Sequence, residues 1–199
     1  MTEHTQRISD ICASNSGVVT AAAVRDAGIS PSYLSQMVSE GRLNRLARGL
    51  YATPGTYVDE MYELYSKAKY IVFSHLSALY LHDLTDRTPS KMWITAPRTY
   101  NISRLIGTGL VEVKRSNPDT HGMGLIQMRS PAGFQIPVYD MERTICDIVK
   151  ARNHTDPQVF SDALKGYVRM ANTNLPRLTE YAKVLKIEGT VRQYIEVLL

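Results

Sequence analysis

Apolar residues in the first quarter of the chain recur at helical spacing in three short bursts. Ile8, Ile11 and Cys12 share one face of a segment over residues 1–16, which Gly17 ends. Val18-Val19 is a short extended link. Thr20 stands before Ala21-Ala22-Ala23-Val24 as an N-cap, and Gly28 closes that second helix. Ser30 is placed to cap a third helix with Pro31 in its first turn, where a missing N–H costs nothing. That helix runs to Gly41. Two capped helices joined by Gly28-Ile29-Ser30 make a helix-turn-helix.

Beyond Gly41 the period changes. Residues 42–47 and 50–52 predict two short strands around an Arg48-Gly49 turn, which is a wing. Thr53-Pro54-Gly55 closes the unit and sets the expected domain boundary. From residue 56 to residue 199 the pattern is mixed. Residues 57–70 predict a helix, and Ser74 caps another through Asp83. Residues 91–96, 110–115, 125–130 and 134–140 predict strands separated by Gly, Pro and Asn. After Asp140 the pattern is helical to the end. The expected class is α+β: a winged helix-turn-helix over 1–55, then a mixed α/β domain over 56–199 that ends in a helical bundle.

The formal net charge of +4 is compatible with a nucleic-acid partner and decides little alone. Its distribution is more informative. No lysine precedes Lys67, and three arginines fall within Arg42–Arg48. Cys12 and Cys146 stand far apart within apolar helical patterns, which predicts small core residues in a reducing compartment and neither a disulfide framework nor a zinc site. No apolar run is long enough for a membrane span, and the polar start MTEHTQRISD lacks a secretory pattern. The expectation is a cytoplasmic protein.

A recognition helix must turn one face to its own core and the other to the major groove. Leu34, Met37 and Val38 make the core stripe. Ser32, Tyr33, Ser35 and Gln36 fall outside it and are the candidate DNA contacts on this helix. Hydroxyls reach base edges or phosphates, and Gln pairs bidentately with adenine. Arg42, Arg45 and Arg48 in the wing complete the set, with Arg48 at the hairpin tip, where guanidinium groups suit phosphates or the minor groove. Strand alternation puts Arg45 and Arg48 on opposite sides unless the turn reorients them. A polar solvated helix face and ordinary surface arginines remain the plain alternative for each residue.

The run Gly28-Ile29-Ser30, Leu34, Val38, Gly41-Arg42-Leu43 and Leu46-Ala47-Arg48-Gly49-Leu50-Tyr51 resembles the N-terminal domain of AbiEi-family antitoxins, from bacterial abortive-infection AbiE type IV toxin–antitoxin systems. Residues 74–84 and 139–147 fit the same resemblance in the expected order. The resemblance implies a protein that binds inverted repeats in its own promoter and represses its operon. It also implies an antidote domain that counters a nucleotidyltransferase-like toxin without forming a stable complex.

Glu112-Val113-Lys114 on a strand has the spacing of metal-dependent nucleases, with Asp83 and Asp86 as possible third ligands. Simple alternation on a half-exposed strand explains it equally well. Arg143 and Asp147 form an i,i+4 pair expected to tie a helix to the sheet. His75 and His82 are seven residues apart, which favours core or interface histidines over ligands. Gly107-Thr108-Gly109 and Gly122-Met123-Gly124 are too short for dinucleotide motifs. Lys150, Arg152, Lys165, Arg169, Arg177, Lys183 and Lys186 recur on the final helices as a solvated face or an extended contact surface. The expectation is a non-enzymatic autorepressor and antitoxin with no catalytic residue, metal or cofactor. Two alternatives stay open: a regulator whose second domain senses a ligand or dimerises, and a nuclease-like enzyme targeted by the winged helix.

Overall fold

The computed structural model describes residues 2–103 and 109–198. The chain forms two compact units, residues 1–69 with 129–135, and residues 70–128 with 136–199. The mixed α+β architecture matches the expected class.

In the first unit, α1 (Glu3–Ser14) begins where the Thr2 hydroxyl accepts from the Thr5 amide, and it buries Ile8 and Cys12. Strand β1 (Val18–Thr20) leads into α2 (Ala21–Asp26). The Thr20 hydroxyl accepts from the Ala23 N–H at 3.1 Å, the cap expected of it. Gly28 and Gly41, at φ +73° and +69°, end α2 and α3 (Ser32–Ser39) in the left-handed region that a side chain resists. Strands β2 (Asn44–Ala47) and β3 (Leu50–Ala52) form the wing, and β3 lies between β1 and β2 in an antiparallel three-stranded sheet. The core joins Ile8 and Cys12 to Val24, Leu34, Met37, Leu43 and Tyr51. Helices, turn and wing thus close on one apolar centre.

One cap differs from expectation. Pro31, not Ser30, occupies the N-cap of α3, in the right-handed helical region and without a side-chain cap bond. Ser30 Oγ sits 2.8 Å from Ser32 Oγ and accepts weakly from the Ser32 N–H at 3.4 Å.

The same unit continues past residue 55. Helix α4 (Glu60–Lys67) is capped by Asp59, whose Oδ1 accepts from the Tyr62 N–H at 3.0 Å. Asp59 Oδ2 accepts from the Ser130 hydroxyl and, at 3.1 Å, from the Ala132 N–H. Tyr62 stacks on Phe134 with ring centroids 4.4 Å apart. One buried carboxylate therefore ties residues 129–135 to the helix cap across more than seventy positions of sequence.

The second unit holds a five-stranded sheet in the order β6-β5-β4-β8-β7. Its strands are β4 (Val72–Phe73), β5 (Met92–Pro97), β6 (Val111–Ser116), β7 (Leu125–Arg129) and β8 (Gln135–Tyr139). The central strand β4 is only two residues long and was not legible as a strand. It runs antiparallel to β5 and parallel to β8, while β5 and β6 run parallel. Helices α5 (His75–Leu81) and α6 (Pro118–His121) accompany the sheet. Ser74 stands at the N-cap of α5 but makes no side-chain cap bond, because its hydroxyl is taken by Thr95 Oγ1 at 2.8 Å.

The helical C-terminus follows as α7 (Met141–Lys150), α8 (Pro157–Arg169), α9 (Leu175–Val184) and α10 (Glu188–Glu196). Asp140, Asp156 and Asn174 cap the first three. Helix α7 is the centre of this bundle: every residue from Glu142 to Val149 is buried. Ile145, Cys146, Ile148 and Val149 join Leu79, Leu164, Tyr167, Leu178, Val191 and Ile195 in one core. Burial pushes the Cys146 thiol up to about 12, as befits a small core residue.

Candidate nucleic-acid interface

Helix α3 divides as its sequence requires. Leu34 and Met37 are buried, and Val38 packs against the same core. Ser32, Ser35 and Gln36 are exposed on the other side. Tyr33 is half-buried, with its ring 5.0 Å from that of His4 on α1. Gln36 Nε2 donates to Glu40 Oε1 at 2.8 Å. A base contact by Gln36 therefore has to displace an intrahelical bond, and it brings a carboxylate close to the same surface. Glu40 was not among the residues singled out in the sequence. An i,i+4 Gln–Glu pair at the end of a polar helix face is the signal that could have found it.

The wing arginines separate into two kinds. Arg42 is half-buried; its Nη2 donates to Ser9 Oγ at 3.1 Å and its Nη1 lies 3.6 Å from Glu40 Oε2. It links the start of the wing to α1. Arg45 and Arg48 are exposed. The register slips between Arg45, opposite Tyr51, and Ala47, opposite Leu50. This irregularity at Leu46 breaks the strict alternation expected to hold Arg45 and Arg48 on opposite sides. Gly49, at φ +80°, closes the hairpin, and its carbonyl accepts from the Ala21 N–H at 2.8 Å. The wing tip is thereby fixed to the first residue of α2.

The other motifs fall in the second unit. Lys114 Nζ lies 3.3 Å from Glu112 Oε1 and 4.9 Å from the Trp93 ring centroid, so the two charges neutralise each other on a half-exposed strand. No group of three His, Cys, Asp or Glu side chains among the described residues is placed to hold a metal ion, and Asp83 and Asp86 are exposed. Gly107 and Thr108 lie outside the described residues.

Arg143 is 4% exposed in its side chain, which makes its bonding decisive. Its Nε donates to Asp147 Oδ1 at 3.1 Å, and its Nη1 donates to the carbonyls of Thr120 and Met123 at 2.7 and 3.0 Å. Its guanidinium also lies over the Tyr139 ring. This pair ties α7 to the loop before β7 and to β8, the structural role expected of it. His82 Nε2 donates to the Tyr139 carbonyl at 2.7 Å, and burial lowers its pKa. His75 is buried against Trp93, and burial lowers its pKa as well.

Residues 6–54 match the family AbiEi_4, described as "Transcriptional regulator, AbiEi antitoxin". The matched segment runs from α1 to the end of the wing, and the resemblance read from Gly28 to Tyr51 falls inside it. That family is one of regulators, not of enzymes. No curated protein matches the chain. Among solved structures, the chain is similar to the RV2827C protein from Mycobacterium tuberculosis at a TM-score of 0.60 and 16% identity, covering 98% of this chain and 77% of that one. The likeness extends over both units and is one of fold. Among the described residues no helix is long and apolar enough to cross a membrane.

Proposed function

We propose that the chain is a DNA-binding transcriptional repressor of its own operon and the antitoxin of a type IV toxin–antitoxin system. Residues 1–55 read inverted repeats in the promoter as double-stranded DNA. Residues 56–199 counter a nucleotidyltransferase-like toxin in the cytoplasm without a stable complex and without catalysis of their own. The match of residues 6–54 to an antitoxin regulator family carries this reading.

Within it, α3 enters the major groove and presents Ser32, Ser35 and Gln36 to base edges, with Tyr33 against the sugar–phosphate backbone. Arg45 and Arg48 contact phosphates flanking the groove, and Arg42 supports them by holding the wing against α1. Arg98, Lys114 and Arg115 of the second unit line a polar cavity, which favours a ligand-sensing role as the second reading of that unit.

A reporter driven by the promoter of the chain's own operon tests the first half. Expression of the chain should silence it, and the double substitution Arg45→Ala with Arg48→Ala should restore it. Co-expression with the neighbouring toxin tests the second half: growth should be rescued even by the wing variant. A promoter indifferent to the chain, or a toxin indifferent to it, overturns the corresponding half.

A further inference from the structure

Helix α7, the edge strand β6 and its neighbour β5 border an open cavity of about 280 Å³ within the second unit, near the lower end for small-molecule sites. Its charge is one-sided. Arg98, Lys114, Arg115, Arg143 and Lys150 line it, against the single carboxylate of Asp147. Three of these cations are already engaged: Arg143 by Asp147 and two carbonyls, Lys114 by Glu112, and Arg115 by the carbonyls of Pro97 and Tyr100. Among the described residues the side chains of Arg98 and Lys150 have no partner, and both are exposed. They are positive charge left at the mouth of a pocket.

The carboxylate supplies the second observation. Asp147 is 6% exposed, and one of its oxygens accepts from Arg143. Its other oxygen, Oδ2, is buried with no hydrogen-bond partner among the described residues. A buried carboxylate oxygen left unpaired costs free energy, and such groups ask for an explanation in the site they border. His75, which also lines the cavity, starts α5 at φ +49°, a conformation that a non-glycine residue holds only under constraint. The remaining polar lining includes the amide of Asn117 and the hydroxyls of Thr95 and Ser116, which already bond Ser74 Oγ and His121 Nδ1 at 2.8 Å.

We propose that this cavity binds a small organophosphate that also carries O–H or N–H donors, of the nucleoside monophosphate class. The phosphate meets Arg98 and Lys150, where charge-assisted hydrogen bonds replace water. The Asn117 amide suits a sugar hydroxyl, and Asp147 Oδ2 accepts from a donor of the ligand. An inorganic anion leaves the carboxylate unanswered. A duplex backbone leaves the enclosed part of the cavity empty.

Titration calorimetry on the full chain tests this with AMP and GMP, their unphosphorylated nucleosides, and inorganic phosphate. At least one monophosphate should bind, with its nucleoside and inorganic phosphate much weaker. Arg98→Ala and Lys150→Ala, both at exposed side chains without partners, should each weaken it by about tenfold or more. Lys165→Ala, an exposed lysine outside the cavity lining, should leave it unchanged. Failure of both nucleotides to bind overturns the proposal, as does binding indifferent to both cavity substitutions or to the phosphate. Weakening of operator binding by Arg98→Ala and Lys150→Ala, with no nucleotide affinity to lose, reassigns these cations to nucleic acid and equally overturns it. The proposal is independent of how the winged helix is used, so a chain that binds no DNA leaves it standing.

Discussion

Arg42 donates from Nη2 to Ser9 Oγ at 3.1 Å and so joins the segment between α3 and β2 to the middle of α1. The arginine closest in sequence to the recognition helix is thus occupied in holding the fold. Its neighbours Arg45 and Arg48 are exposed. The three wing arginines should therefore differ when replaced. Arg45→Ala and Arg48→Ala should weaken binding to all duplexes and each reduce the salt slope by about 0.9, with the unfolding midpoint unchanged. Arg42→Ala should lower stability by about 0.5–1.5 kcal/mol, the usual worth of one hydrogen bond. Equal effects of all three on stability and salt slope would contradict the division.

Gln36 is held by Glu40 at 2.8 Å on the exposed face of α3. Gln36→Ala should relax preference at one base pair, with discrimination there falling by about 1–3 kcal/mol. Glu40→Ala should instead strengthen binding to every duplex by removing a negative charge beside the phosphates. Competition assays over single-base operator variants separate the two. A uniform loss for Gln36→Ala would mean that it touches the backbone and not a base.

Much of the first unit was legible because its local signals agree. Thr20 caps, Gly28 and Gly41 stop their helices, and Leu34 and Met37 mark the buried stripe, each within a few residues of the element it defines. What stayed hidden depends on distant partners. Val72-Phe73 is too short to show a period, and it is a strand because β5 and β8 lie on either side of it. The attachment of residues 129–135 to the first unit rests on Asp59 meeting Ser130 and Ala132. No spacing in the sequence announces that contact. The wing arginines could be named from sequence, but the role of Arg42 needed Ser9, thirty-three positions away, to be in view.

Arg143 bonds α7 to its surroundings in the second unit. Replacing it with Ala strands the Asp147 carboxylate in a buried setting, and unpaired buried charges of this kind cost about 3–5 kcal/mol. Gly124 guards the same contact: at φ +77°, an added Cβ would come within 2.7 Å of Arg143 Cβ. Arg143→Ala and Gly124→Ala should both lower the urea midpoint of the second unit. A midpoint unchanged in Arg143→Ala would show that the pair does not hold α7 to the sheet.

Mild acid should draw stability from the second unit through its buried histidines. Burial lowers the pKa of both His75 and His82 below the ordinary 6.5. Below that value the unfolded chain takes up protons that the folded state refuses. The stability these residues contribute is therefore whole above about pH 6.5 and is lost as pH falls towards their folded-state values. Urea midpoints at about pH 7.5 and about pH 5.5 should show the drop, and His82→Gln should reduce it. A midpoint that rises on acidification would reverse the sign of this argument.

The central claim is that the winged helix reads DNA, and it is tested most directly by fluorescence anisotropy. The full chain would be titrated onto the duplex upstream of its own gene at two salt concentrations, beside a scrambled duplex and the Arg45→Ala/Arg48→Ala variant. Preference for the native duplex, with affinity that falls as salt rises and a shallower slope in the variant, is the predicted result. Equal affinity for native and scrambled DNA, or no measurable binding to either, would contradict it.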